Sequence, residues 1–473
     1  MSDRRQSVAV AARRERLLNG PIVPTLLGLA APMVLVLTMQ ATINLVETHF
    51  IGRLGVEPLA GTALVFPVIV LMQMVSSGGL GGGISSTIAR AIGAGEPDRA
   101  AALAGRGLAL ALVCGLACSA LGLALGPAVY RGLGGSAAML AAAEHYSNTI
   151  FAGAVLIWGS NALASSLRGS GEMAATAAII LVAAAAATAV SPCLILGLGP
   201  FPRLGVVGAG LSILAYYGLG AAGFLAYLLY RHGWRRLVGL GAGASVADIL
   251  TVGGLTSLMA LLSSLAVVIV TALTDRFGSQ VLAGYGLGSR LDALLVPPIF
   301  GLGAATVTMV GINVGAGEMR RAERIAWLGA LTAAVALEAV GLAVSAYPRL
   351  WLGLFSQDPP VLKAGARYLR AVAPFYGCLG IGTILHFAAV GAGRPRGPLV
   401  GMTSRALIAA GGGAMMVRLD GTPHQLFAMV GYGLVAFAAI NAAAVLRGSL
   451  RVQVGSRPAA RKPPSTTKAW PVT

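Results

Sequence analysis

Twelve apolar runs of helix-spanning length recur along the chain, separated by short polar or Gly/Pro-containing breaks. They lie near 22–48, 57–82, 100–127, 140–167, 174–197, 206–230, 248–274, 281–312, 322–346, 364–390, 397–417 and 424–446. A helix crossing a bilayer core needs about 20 apolar residues. Barrel strands would alternate apolar and polar positions, and these runs do not. The pattern predicts an all-α polytopic membrane protein of twelve transmembrane helices in two pseudo-symmetric six-helix bundles. The basic stretch RHGWRRL at 231–237 divides the runs six and six. The expected organisation is a cytoplasmic N-terminus (1–21), an N-terminal lobe (22–230), a linker (231–247), a C-terminal lobe (248–446) and a basic, disordered tail (447–473).

An internal repeat supports that division. GRLGVEPLAGTAL at 52–64 matches DRFGSQVLAGYGL at 275–287, IGAGEPDRA at 92–100 matches VGAGEMRRA at 314–322, and LRGSGEM at 167–173 matches AVGAGRP at 389–395. The offset stays at 222 or 223 residues throughout. Each half has an even number of runs, so both halves enter the membrane in the same sense. They are then related by an axis along the membrane normal, with a cavity between them. The repeated Gly-Ala-Gly-Glu stretches read as turns, with Glu96 and Glu318 opening the next helix at its positive dipole end.

Composition strengthens the membrane reading. Only 11% of residues are charged and 56% are hydrophobic, whereas soluble domains carry about 25% charged residues. The 66 glycines suit closely packed membrane helices. A net charge of +18 would suggest nucleic acid in a soluble protein. Here Arg and Lys sit mainly between the apolar runs, where they orient helices, so no nucleic-acid partner is expected. Their bias puts both termini in the cytoplasm of a plasma (inner) membrane, with lipid as the surrounding partner. The four Cys, at 114, 118, 193 and 378, fall inside apolar runs and read as packing residues. No nucleophile–base constellation or metal-ligand cluster stands out among five His and four Cys, so neither an enzyme nor a resident metal or cofactor is expected.

Candidate chemistry lies in the few polar residues inside the runs. QATINLVETHFIGRLG, at 40–55, places Glu47 near the end of an otherwise uncharged run. A carboxylate kept within a membrane is costly and marks function. Gln40, Asn44 and Glu47 are spaced i, i+4, i+7 and share one helix face, and Ser191 on the fifth run is a further hydrogen-bonding candidate for this acid. Asp292, Glu338 and His386 are the polar candidates of the second half. Pro32 and the pair Pro297-Pro298 would each remove helix hydrogen bonds and are candidate hinges.

The GRLG or DRFG turn ahead of LAG in both halves, the GAG turns, LRGSGEM and GLGPFPRLGVVGAG at 197–210 together resemble the multidrug and toxic compound extrusion (MATE) family over about 22–446. The resemblance implies a monomeric alternating-access antiporter that expels small organic, cationic or amphiphilic compounds against inward H+ or Na+. It implies a coupling acid on the first helix, where this chain has Glu47. Many relatives add an Asp and an Asn on the fifth helix, where this chain has Ser191 and Ala187. That depleted acidic cluster favours H+ over Na+. The resemblance also implies a cavity-facing acid at Asp292, and Glu338 and His386 join it as substrate-binding candidates. The competing reading is a lipid-linked precursor flippase of the wider superfamily. Such a cavity would be rich in Arg, and the runs supply chiefly Arg290 and Arg405.

Overall fold

The computed structural model describes residues 12–232 and 245–450, and every regular element among them is helical. Residues 1–11, most of the linker (233–244) and nearly all of the tail (451–473) lie outside the described residues. The first half comprises α1 (12–19), α2 (Ile22–Gly52), α3 (Val56–Gln73), a π-helical stretch (Met74–Leu80), α4 (Gly81–Gly93), α5 (Pro97–Leu133), α6 (Ala137–Ala152), α7 (Ala154–Gly169), α8 (Met173–Leu196) and α9 (Val206–His232). The second half comprises α10 (Val246–Asp275), α11 (Ser279–Gly315), α12 (Met319–Ala346), α13 (Pro348–Leu352), α14 (Pro359–Val372), a 3-10 turn (Ala373–Phe375), α15 (Tyr376–Gly391), α16 (Arg396–Ala406), a π-helical stretch (Leu407–Gly412), α17 (Gly413–Arg418) and α18 (Pro423–Leu446).

Eleven of these continuous stretches are long and apolar enough to cross a membrane, and the pair α6–α7, bent by 49°, makes a twelfth. Each run expected from the sequence falls on one of them. The helices outlast the apolar runs because polar turns finish them, as where the second continues to Gly93. The short helix α13 was not expected. Turns recur in register between the halves. Gly55 and Gly278 (φ 123° and 100°), Gly95 and Gly317 (76° and 83°), and Gly171 and Gly393 (79° and 74°) all adopt backbone conformations open mainly to glycine.

The three candidate-hinge prolines stand inside continuous helices. α2 runs unbroken through Pro32, and α11 runs unbroken through Pro297 and Pro298. In long membrane helices, neighbouring helices and local adjustments can re-satisfy the freed carbonyls. The α-helical course is interrupted at Gly153, between α6 and α7, and at the 3-10 turn Ala373–Phe375, between α14 and α15. Those two breaks occupy equivalent places in the repeat.

The two lobes meet through reciprocal contacts. A Cβ on Gly93 would stand 2.0 Å from the carbonyl oxygen of Ile312, and one on Gly315 would stand 2.0 Å from that of Arg90. Ser86 Oγ donates to the carbonyl of Val390 (2.5 Å), and Thr308 Oγ1 donates to that of Arg168 (2.8 Å). In both sets the partners exchange places under the 222-residue offset. The first glycine of each GAG motif is therefore more than a turn residue, because it lets the ends of α4 and α11 cross backbone against backbone.

Leu17 and Leu450 belong to one hydrophobic cluster, so both ends of the described chain lie on the same side of the bundle. We call this the terminus side and the opposite one the far side. The hydrogen bonds between lobes lie in the terminus-side halves of the spans, apart from a mid-span contact between Ser264 Oγ and Met74 Sδ. The lobes are closed on the terminus side. The reciprocal geometry predicts that Gly93→Ala and Gly315→Ala each destabilise this closed arrangement by about 1–3 kcal/mol, the cost of overpacking. Gly254→Ala, with nothing within 4 Å of the added atom, should be neutral. Thermal melting of the purified variants checks this; a neutral Gly93→Ala would refute the contact.

Candidate functional site

The first lobe encloses a cavity of about 150 Å³. α2 contributes Gln40, Asn44 and Glu47, one face at the expected spacing. α8 contributes Ala187, Thr188 and Ser191, α9 contributes Ser212, Tyr216 and Tyr217, and Gln73 and Tyr146 complete the polar wall. All four residues assigned to ion coupling from the sequence line this one cavity. Glu47 is the only carboxylate in its wall.

The hydrogen bonding differs from the expectation. Gln40, Asn44 and Ser191 stand beside Glu47 without any described hydrogen bond to it. Gln40 Nε2 donates instead to Tyr216 Oη at 2.8 Å, and the Asn44 carbonyl accepts from Thr48 Oγ1 at 2.7 Å. Glu47 Oε1 and Ser191 Oγ are buried and have no hydrogen-bond partner among the described residues. Ala187 carries no hydrogen-bonding group, and Ser191 Oγ does not reach the acid, so α8 gives Glu47 Oε1 no donor.

The tyrosines were missed at the sequence level. Tyr216 and Tyr217 sit in SILAYYGLG, and their hydroxyl groups were the available signal, because a phenol within an apolar run calls for a polar partner. Their rings meet edge to face with centroids 4.7 Å apart.

The second lobe is built differently. Both carboxylate oxygens of Asp292 accept tyrosine hydroxyls, one from Tyr368 at 2.5 Å and the other from Tyr376. Tyr285 and Phe427 pack around Tyr368, with ring centroids at 5.2 Å from it in each case. Glu338 accepts the backbone N–H of Gly377 at 2.7 Å, which satisfies a donor freed by the helix break ahead of α15. His386 is buried against Phe387 and Phe437, and its Nδ1 has no described partner. The three substrate-binding candidates thus do not form one open cluster. The two acids are taken up by protein donors just after the same break, at Tyr376 and Gly377, with Tyr368 ahead of it, and His386 stands apart. Arg290 and Arg405, the cations a flippase cavity would require, lie over separate rings, Phe355 at 5.7 Å and Phe437 at 5.8 Å.

Comparison with known proteins places this architecture. The family model MatE matches residues 32–193 and 256–414. The FAD transporter of Shewanella oneidensis is 28% identical over 82% of this chain and 86% of its own length. The probable multidrug resistance protein NorM of Deinococcus radiodurans is 31% identical over 74% of this chain and 78% of its own. Among solved structures, MATE in the bent conformation superposes with a TM-score of 0.83, at 24% identity, over 92% of this chain and 97% of that one. An outward-facing multidrug resistance MATE family transporter gives a TM-score of 0.80 at 24% identity, over 91% and 97%.

The geometry of the second lobe yields its own expectation. Tyr368→Phe and Tyr376→Phe each strip one oxygen of Asp292 of its donor and should cost about 1–3 kcal/mol. Removing all three polar groups together, as Asp292→Asn with both phenylalanines, should recover part of that loss. Melting temperatures of the purified variants decide it, and two neutral phenylalanine variants would contradict the assignment.

Proposed function

We propose that this chain, which belongs to the MatE family of multidrug efflux transporters, is an antiporter that exports organic cations or amphiphilic compounds in exchange for protons. The observation that carries the reading is Glu47, a lone acid with a buried oxygen unpartnered among the described residues, at a cavity confined to the first lobe. A proton needs a single acceptor oxygen. A sodium ion needs several oxygen ligands, and the positions that would supply them on α8 are Ala187 and Ser191.

The cycle follows from differential binding. A deprotonated Glu47 attracts a cationic group and favours cargo binding. Protonation removes that attraction and favours release, so cargo and proton compete for one oxygen. The lobes then expose that oxygen to either side in turn. Glu338 and His386 contribute to the shape and polarity of the second lobe, and Asp292 to its charge. The cargo class is small, organic and amphiphilic, and the relative described as a FAD transporter extends it to amphiphiles bearing phosphate. We assign the terminus side to the cytoplasm of the inner membrane, because Arg13, Arg14, Arg90, Arg99, Arg320 and Arg321 gather there. The far side, toward which export runs, then faces outward. A single chain encloses the cavity, in keeping with a monomer.

Proteoliposomes with an imposed pH gradient test the assignment. Glu47→Gln should fold, bind cargo weakly and lose gradient-driven accumulation; full transport by this variant would show that the coupling acid is elsewhere. A second variant addresses the ion. Ser191→Asp with Ala187→Asn rebuilds the acid–amide pair on α8 and should make transport respond to a Na+ gradient. No response would mean that α8 does not set the choice of ion.

A further inference from the structure

Within the segment expected as the cytoplasmic N-terminus (1–21), residues 12–19 form a helix laid across the boundary between the lobes. Its hydrogen bonds and ion pair to the first lobe come from Arg13 and Arg14. The Arg13 guanidinium pairs with Glu172, in the turn between α7 and α8, and the Glu172 side chain is 2% exposed. Arg14 Nη2 donates to the carbonyl of Gly93 at 2.7 Å, and its Nε donates to that of Ile92 at 3.1 Å. These carbonyls end α4, at the reciprocal glycine crossing.

The contacts to the second lobe lie at the other end of the same segment. Asn313 Nδ2 donates to the carbonyl of Leu17 at 3.3 Å, and Arg321 donates to the carbonyl of Gly20. Between the two sets, Leu17 is 3% exposed and packs in a cluster with Ala89 of the first lobe and Val310, Ala322 and Ala388 of the second. The segment thus fastens the first lobe through Arg13 and Arg14 and the second through Leu17 and Gly20.

We propose that α1 is a clamp that holds the lobes shut on the terminus side, and that it must let go of one lobe each time the transporter opens to that side. This rests on the alternating-access reading above. The physical basis is the placement of the bonds. Parting the lobes at Gly93 and Gly315 leaves α1 unable to keep both sets of partners. Arg14 and Arg321 each satisfy helix-end carbonyls with a charged donor, a strong class of hydrogen bond in a part-buried setting. The clamp therefore adds to the barrier and to the free energy of terminus-side opening, without touching the cavity at Glu47.

Distance measurement between spin labels tests the proposal in the full-length chain. Labels go at Asp98→Cys and Arg320→Cys, exposed positions at the terminus-side starts of α5 and α12, after the four native cysteines are replaced. The parent should show mainly the short, closed distance. Arg13→Ala with Arg14→Ala frees the first-lobe end and Asn313→Ala with Arg321→Ala frees the second, and each pair should raise the separated population roughly tenfold. Combining the two pairs should resemble either pair alone, because a clamp released at one end no longer spans the boundary. Arg16→Ala, exposed on the same helix, should change nothing. Fully additive effects, or unchanged distances in both one-ended variants, would overturn the clamp. Deletion of residues 1–19 provides a second route, and a closed distribution after that deletion would also overturn it. Loss of Glu47-dependent transport with an intact clamp response would instead fault only the coupling assignment.

Discussion

The architecture depends on how closely two backbones can approach. At Gly93 and Gly315 the ends of α4 and α11 cross so tightly that any side chain would run into a carbonyl of the opposite lobe. Between apolar helices in lipid there is no hydrophobic drive to associate, so small residues and direct backbone packing do that work. The crossing also fixes where polar partners can meet. Ser86 and Thr308 reach carbonyls across the boundary because their helices are already in contact there. A joint built from close packing and a few hydrogen bonds is shut or open, with little between.

Against that symmetric joint, the chemistry is asymmetric. The first lobe holds an acid whose buried oxygen meets no donor, while the second holds an acid with a tyrosine hydroxyl on each oxygen. The position equivalent to Glu47 is Val270, so the repeat does not copy the acid. A fully satisfied carboxylate is a structural anchor; an unsatisfied one retains the capacity to take up and lose a proton or to meet a cation. The repeat thus carries the turns and the joint in both copies, and an acid without a described donor in one copy only.

The twelve spans and the twofold repeat were legible because both are written in local pattern, as long apolar runs and glycine turns at a constant offset. Glu47, Gln40, Asn44 and Ser191 were legible as lining because helical spacing and one resemblance aligned them. Their hydrogen bonds were not, because Gln40 turns to Tyr216, a residue 176 positions away that no spacing rule connects to it. Asp292 and Glu338 looked alike as lone acids in apolar runs. Only the packed structure reveals donors folded back from α14 and α15 onto them. Pro32, Pro297 and Pro298 read as candidate hinges and lie inside continuous helices, while the 49° bend between α6 and α7 falls at Gly153, which no proline marks. The helix at 12–19 was hidden because its charges read equally well as topology signals; their partners, Glu172 and the helix-end carbonyls, come from distant turns.

The central claim is that cargo and proton compete for Glu47. Proton release on cargo binding to the purified protein tests it most directly, followed with a pH indicator in weakly buffered detergent solution. The account predicts that an organic cation displaces a proton from the parent protein and displaces none from Glu47→Gln. Cargo binding to the parent with no proton released at any starting pH would contradict it, as would undiminished release from Glu47→Gln.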